Sequence, residues 1–411
     1  MSFKKRNITI KSELLKQCKK IKKLDIIVGV LCKDVETTIL NVLNAVNEGL
    51  YSYFPDYKKA IVISEGKSVD KTSEVIKLFQ PYSSIYKIYT KDIVKGGKGA
   101  GIYTILETAR ITEAKCVLLI DGDLLNIKPV WIQTIANPIV YGRADLTVPY
   151  YIRDKYDAII TNNLVYPFTK ALYGIDIRQP IAGEFALSKK LYEILLNHPL
   201  FPFDFGIDIF IVTVTAAEGF NIKEGLYSLK IHESTNRYLS PEKLLHPMFK
   251  KVTGCMFELA KYYESFWRNR FINHNKTLYR EVFSKKPIPV KIDIVNLKNI
   301  FKKEFIEKKS FIQKILPESL IKELDFIVKN HKDLDSDLWA EIVYNFASAY
   351  KSTNGIVQKN RLVDTLKTLW IGRFVSFALE TKDMDVNEAE KVIQKQAEIF
   401  EQKLDYLRGI Y

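Results

Sequence analysis

Two hydrophobic patterns divide the chain. Over residues 24–235, short apolar runs alternate with stretches in which apolar positions recur every three or four residues. Leu24–Leu31 (LDIIVGVL), Lys59–Ser64 (KAIVIS), Ile85–Thr90, Cys116–Ile120 (CVLLI) and Leu146–Tyr150 (LTVPY) read as strands, and Gly225–Ile231 as another. Thr37–Val46, Asp70–Phe79, Gly101–Thr112 and Ile209–Ala217 read as helices. A run with no polar alternation suits a strand covered on both faces. Strands alternating with helices predict an α/β fold, a mostly parallel sheet with helices on both faces. Such sheets gather ligands at the carboxyl ends of their strands, so the residues that follow the apolar runs carry the most interest.

Beyond residue 241 helical periodicity takes over, at Glu242–Trp267, Val295–Ile306, Pro317–Val328, Leu338–Ala349, Gln358–Leu379 and Val386–Leu407. The segment Phe283–Asp293 (FSKKPIPVKID) holds two prolines and reads as a connector. The expected organisation is a basic segment over 1–23, an α/β domain over 24–240 and a helical domain over 241–411. No apolar run reaches the roughly 18 residues of a membrane span, and the start is not a signal peptide.

Composition and charge refine this. The 411 residues are 47% hydrophobic and 27% charged, which excludes a disordered chain. Cys18, Cys32, Cys116 and Cys255 lie far apart, against a disulfide scaffold or zinc ribbon and in keeping with a cytoplasmic protein. A net charge of +14 raises nucleic acid, anionic lipid or an anionic small substrate. Its distribution decides among them. Residues 1–23 carry nine Lys/Arg against one Glu, and residues 275–315 carry eleven against four acids. The rest is close to neutral, so the charge belongs to flanking segments. Nucleic-acid binding would interleave basic with aromatic residues on one module; here the aromatics lie in apolar helical stripes, and no nucleic-acid partner is expected. The N-terminal segment reads as a solvated basic helix covering the domain edge, with Ile8, Ile10, Leu14, Leu15 and Cys18 on one side; a membrane-surface or nucleic-acid role is the alternative.

Candidate chemistry follows the fourth run. Asp121-Gly122-Asp123 places two hard oxygen ligands at the sheet edge, suited to Mg²⁺ or Mn²⁺ shared with a diphosphate. The same pattern is also what a polar turn looks like. Upstream, Lys95–Gly101 (KGGKGAG) opens a helix; it reads as a phosphate clamp, through its amides and Lys98, or as a flexible linker, and it is not a Walker A loop. Downstream come Arg178–Glu184 (RQPIAGE) and Phe203–Asp208 (FDFGID). Asp204 could be a plain N-cap, and Asp208 would sit in a first helical turn that favours a carboxylate. His232, after the Gly225–Ile231 run, could complete a metal site with Asp123. His198, His246, His274 and His331 read as structural or exposed.

The order of apolar strand, GGKGAG, DGD, QPIAGE, DFGID and KIH resembles the nucleotide-sugar glycosyltransferases of the GT-A fold. Within them it is most similar to mannosylglycerate and glucosylglycerate synthases, with the glucosyl-3-phosphoglycerate synthases next. The resemblance implies transfer of glucose or mannose from a nucleoside-diphosphate sugar to D-glycerate, with retention of configuration and a divalent metal. The 3-phosphoglycerate acceptor is the alternative, and a membrane-associated polyprenyl-phosphate transferase a more distant one. By resemblance, Asp123 and His232 bind the metal, with Asn236 as an alternative to the histidine. Lys98 and Gly99 hold the diphosphate. Asp121 and Gly122 touch the nucleoside or sugar. Gly29 and Leu31 line the base pocket with Glu65 and Gly66 beside it. The backbone at Ile181 lies by the anomeric carbon, with Glu184 in the same loop, and Asp208 orients hydroxyls. Arg153 and Thr161 bind the glycerate, Phe205 supplies an aromatic wall, and Lys155 is a candidate second cation for a phosphorylated acceptor. The first strand lacks the Pro and Glu common in this fold, having Gly29 and Lys33 instead, which leaves the nucleotide open among ADP, GDP and UDP. The helical half offers surfaces for a homo-oligomer.

Overall fold

Five of the six expected strands form within a residue or two of where they are expected; the sixth, expected at Gly225–Ile231, runs from Ile222 to Leu229. The computed structural model describes residues 12–21, 23–232, 241–271, 286–330 and 332–411. Asn236, His274 and His331 lie outside these, as do residues 1–11 and the side chain of His246. In chain order the elements are α1 (Ser12–Ile21), β1 (Ile26–Cys32), α2 (Ile39–Tyr53), β2 (Lys59–Glu65), α3 (Thr72–Leu78), β3 (Ile85–Lys91), α4 (Lys98–Ile111), β4 (Cys116–Asp121), α5 (Pro129–Val140) and β5 (Leu146–Ile152). A π-helical turn (Thr161–Val165), α6 (Tyr166–Tyr173), β6 (Phe185–Ser188), α7 (Lys189–Asn197), α8 (Ile207–Ala217) and β7 (Ile222–Leu229) follow. The remainder is helical: α9 (Pro241–Tyr262), α10 (Glu264–Arg268), α11 (Ile294–Ile312), α12 (Glu318–Asn330), α13 (Ser336–Ser352), α14 (Ile356–Thr381), α15 (Val386–Gln402) and α16 (Leu404–Ile410). Among the described residues no helix is long and apolar enough to cross a membrane.

Two compact units result: Met1–Tyr151 with Ile181–Arg237, and Ile152–Pro180 with Tyr238–Tyr411. The first is built on a seven-stranded sheet of order β3-β2-β1-β4-β6-β5-β7. Strands β1 to β4 are mutually parallel, and β6 runs antiparallel to β4 and β5. The chain steps one way from β1 to β3 and then back to β4. Right-handed crossovers therefore put α2 and α3 on one face and α4 on the other. Helix α2 packs on α3 and α5, and α4 packs on α7. This is the expected α/β class, with helices on both faces. In β1, Ile26, Ile27, Val28 and Val30 are all buried; each such side chain contributes about 1.5–3 kcal/mol when removed from water. Helix α1 closes the β3 edge. Gln17 donates through Nε2 to Tyr89 O at 3.2 Å and accepts from Tyr89 N at 3.3 Å, while Leu14 and Cys18 are buried beneath it. That satisfies an otherwise open strand edge, as expected of an edge-covering helix.

The second unit is helical. It includes residues 152–180, although these fall inside the stretch expected to belong to the α/β domain. The reason is burial: all eight residues of α6 are buried, and α6 packs on α15. The Arg178 guanidinium forks onto Glu390 at 2.7 and 2.9 Å, and Trp339 Nε1 donates to Asn163 O at 2.6 Å.

Candidate active site

The site of the first unit grows from the adjacent ends of β1 and β4, where Leu31 lies beside Asp121. The parallel order reverses here, which is where α/β sheets bind ligands. After Asp121 the chain turns sharply. The Gly122 amide donates to Leu31 O at 2.8 Å, and its carbonyl accepts from Thr38 Oγ1 at 2.8 Å. A Cβ on Gly122 would stand 2.6 Å from Leu31 O. The glycine thus lets the turn close on β1, whereas a close approach to a ligand was expected.

Five charged side chains meet at this edge. Lys98, the first residue of α4, reaches Asp121 at 3.0 Å, Asp208 at 3.2 Å and Gly183 O at 3.2 Å. Lys230, just past β7, reaches both Glu184 oxygens at 2.8 and 2.9 Å, Ala182 O at 2.9 Å and Asp121 at 3.8 Å. Tyr151 OH donates to Glu184 at 2.8 Å, and its ring lies 5.2 Å from Lys230 Nζ. Gly183 sits among them with φ +103°, and a Cβ there would fall 2.7 Å from Asp121 Oδ2 and 2.9 Å from Lys230 Nζ. Both the backbone conformation and the crowding demand glycine.

Three carboxylates against two ammonium groups set the electrostatics. Burial raises the Glu184 and Asp208 carboxyls above their ordinary values, each reinforced by Asp121 and opposed by both Lys98 and Lys230. Burial acts the same way on Asp121, but Lys98 and Lys230 overcome it and hold its carboxyl below its ordinary value. Lys98 would be lowered by burial; Asp121, Asp208 and Glu184 raise it instead, so it stays protonated. One oxygen of Asp208 binds Lys98, and Oδ1 is buried without a hydrogen-bond partner among the described residues.

The glycine loop behaves differently from the expectation. The amides of Gly97 and Ala100 donate to Phe203 O at 2.7 and 3.2 Å, and Gly99 donates to Asp204 O at 3.2 Å. A Cβ on Gly99 would lie 2.2 Å from Pro202 O. These amides, Gly99 included, are spent on the 202–204 loop, and the group that this helix start sends to the charged edge is the Lys98 side chain.

Asp123 and His232 come together. Leu124 and His232 form an antiparallel bridge, and Asp123 Oδ2 lies 3.8 Å from His232 Nδ1. Ligands about 2.1 Å from one cation stand about 3–4 Å apart, and imidazole with carboxylate suits Mg²⁺ or Mn²⁺. The pair therefore fits a divalent metal. Among the described residues no cluster of three or more His, Cys, Asp or Glu is arranged for one ion.

Other expected residues fall into three groups. Leu31, Gly66 and Ile181 are half-buried, and Phe205 is exposed. Gly29 and Glu65 have other partners than a base. Gly29 lies under α4, where a Cβ would stand 2.4 Å from Ile105, so it serves helix–sheet packing. Glu65 is fully buried and its carboxylate is held by Lys91 at 2.6 Å, Ser73 at 2.8 Å and Tyr89. Burial would raise its pKa, but Lys91, Tyr89 and Ser73 more than offset that. Arg153 and Thr161 belong to the second unit. There Arg153 Nη1 lies 3.6 Å from Asp157, and Thr161 opens the π-helical turn, itself buried. Lys155, the candidate second cation, donates to the carbonyls of Thr381, Lys382 and Met384 and so caps the end of α14. His198 is buried and accepts at Nδ1 from Leu200 N, a structural role as expected. Sequence reasoning missed Lys230, Gly183 and Tyr151. Lys230 was within reach of it, because alternate residues of an extended segment share a side, and Lys230 stands two before His232.

Residues 66–238 match the family described as mannosylglycerate synthase, GT domain. No protein of curated function matches the chain by sequence. Among solved structures, glucosyl-3-phosphoglycerate synthase from Mycobacterium tuberculosis with Mn²⁺, UDP and phosphoglyceric acid is similar at 22% identity and TM-score 0.46, over 60% of this chain and 81% of that one. The same enzyme with phosphoglyceric acid is similar at 19% identity and TM-score 0.45, over 68% and 91%. With Mn²⁺ and UDP-glucose the values are 18% and 0.43, over 61% and 83%.

Proposed function

We propose that this chain is a GT-A glycosyltransferase of the mannosylglycerate and glucosyl-3-phosphoglycerate synthase kind, a reading supported by the family match over residues 66–238. It moves glucose or mannose from a nucleoside-diphosphate sugar to the hydroxyl of D-glycerate, with retention. The observation that carries this reading is the Lys98 ammonium, held between Asp121 and Asp208 beside the Asp123–His232 pair at the sheet edge. Asp123 and His232 hold a divalent cation, Mg²⁺ or Mn²⁺, which when bound neutralises charge on the leaving diphosphate as a Lewis acid. Lys98 adds a second positive charge aimed at the same group, preorganised by its two carboxylates. Lys230 and Lys98 bind the carbonyls of Ala182 and Gly183, so the backbone next to Ile181 is held still where the sugar would sit. Asp208 Oδ1 accepts a sugar hydroxyl, which supplies its missing partner. Orienting the acceptor hydroxyl contributes the proximity term, and the planar fork of Arg153, with Thr161, suits the glycerate carboxylate.

The engagement of Lys155 with three carbonyls favours glycerate over its phosphorylated form, since a phosphate needs a further cation. The test is direct. Purified protein with Mg²⁺ or Mn²⁺ is given ADP-, GDP- and UDP-linked glucose and mannose, with D-glycerate or 3-phosphoglycerate, and products are read by mass. A hexosyl-glycerate is expected, lost in Asp123→Ala. Product from 3-phosphoglycerate alone would overturn the acceptor, and full activity in Asp123→Ala would overturn the metal assignment.

A further inference from the structure

Asn126 lies three residues past Asp123, in the turn after DGD, and faces the backbone of residues 229–231. Its Nδ2 donates to Leu229 O at 2.7 Å, and its Oδ1 accepts from Ile231 N at 2.9 Å. One side-chain amide thus satisfies the peptide groups on both sides of Lys230, as a neighbouring strand would. The contact is extended by backbone: Leu125 N donates to Ile231 O at 2.9 Å, and Leu124 bridges to His232. The other side of the turn is tied down as well, because Asn41 Nδ2 donates to Leu124 O and Leu125 O, each at 3.3 Å.

We infer that Asn126 is a positioning residue for the whole charged edge, fixing Lys230 and His232 against the two aspartates of the DGD turn. Regular strand pairing does not do this, since β7 ends at Leu229. Yet Lys230 and His232 each come within 3.8 Å of their aspartate, Asp121 and Asp123 respectively. A short irregular segment holds both side chains, and the carboxamide of Asn126 is the group that fixes its path. Asparagine suits the task because it donates and accepts from one planar group. Aspartate would keep the acceptor but lose the donor. Through Lys230 the same clamp reaches Ala182 O and Glu184, so the loop next to Ile181 depends on it too.

This rests on the reading that Asp123 and His232 hold a divalent cation. The experiment is a titration of Mn²⁺ into the full chain with excess UDP or GDP, followed by the electron paramagnetic resonance of free Mn²⁺. Wild type, Asp123→Ala, Asn126→Ala and Asn126→Asp are compared. Removing groups that orient metal ligands costs about 10–100-fold in affinity, and Asn126→Ala is expected to raise the Mn²⁺ Kd by that amount. Asn126→Asp is expected to fall between it and wild type. Hydrogen exchange should show the Ile231 amide deprotected in Asn126→Ala but not in Asn126→Asp, which reports the clamp even where overall stability drops. If Asp123→Ala binds Mn²⁺ like wild type, the metal reading itself fails. If Asp123→Ala loses Mn²⁺ while Asn126→Ala keeps wild-type affinity, or if Ile231 stays protected in Asn126→Ala, the positioning role is overturned.

Discussion

Replacing Lys230 by methionine tests the charged edge without emptying its volume. The Lys230 side chain is 5% exposed and its partner Glu184 is fully buried. Methionine keeps the apolar stem but leaves the Glu184 carboxylate with Tyr151 as its remaining donor. Removing one partner of a buried ion pair costs about 3–5 kcal/mol. For a unit of about 200 residues each kcal/mol lowers Tm by about 2–4 °C, so the variant should melt about 6–20 °C lower at pH 7. The loss carries a pH signature. Burial already raises the Glu184 pKa above its unfolded value, and removing Lys230 raises it further. A carboxyl with a raised folded pKa favours folding when protonated. The Tm deficit of Lys230→Met should therefore shrink as pH falls through that folded pKa towards the unfolded value near 4.5. Adding Glu184→Gln removes the stranded charge and should recover most of the loss and flatten the pH dependence. Thermal melts of the wild type, the single and the double variant between pH 5 and 8 measure this. A Lys230→Met protein melting within about 2 °C of wild type at pH 7, or no recovery on adding Glu184→Gln, would refute the reasoning.

Gly183→Ala should cost about 1–3 kcal/mol, because its φ of +103° is strained for alanine, and the displaced Asp121 should lower kcat; melts and initial rates report the two effects separately. Arg153→Ala should raise the acceptor KM roughly 10–100-fold, the worth of a charged hydrogen bond of about 1.5–3 kcal/mol, and leave the donor KM unchanged; a rise in the donor KM alone would remove Arg153 from acceptor binding.

Strands β1, β2, β4 and β5 were legible because they are buried on both faces, so their apolar runs needed no partner to be seen: Cys116–Ile120 was expected and Cys116–Asp121 found. The four-residue β6 was not legible, since so short a strand carries no periodicity, and α5 was missed between the DGD turn and the fifth strand. Residues 152–180 read as part of the α/β stretch, because nothing local records that Arg178 pairs with Glu390. In the site, Lys98, Asp121, Asp123, Glu184, Asp208 and His232 were legible from motif order. How they are used was less so. The amides of Gly97 and Gly99 face outward in a sequence reading, yet both are taken by carbonyls of Phe203 and Asp204, a tertiary contact. Glu65 looked available to a base for the same reason, until Lys91, Ser73 and Tyr89 were seen to enclose it.

The guanidinium of Arg178 meets a carboxylate 212 positions later in the chain. During synthesis at about 5–20 residues per second, that partner emerges about 10–40 s after the arginine does. Throughout that interval α6, every residue of which is buried in the finished protein, lacks α15, the helix it packs on. A ribosome therefore carries α6 without its partner long after the first five strands are made, and the helical half can finish folding only once α15, which ends at Gln402, has emerged.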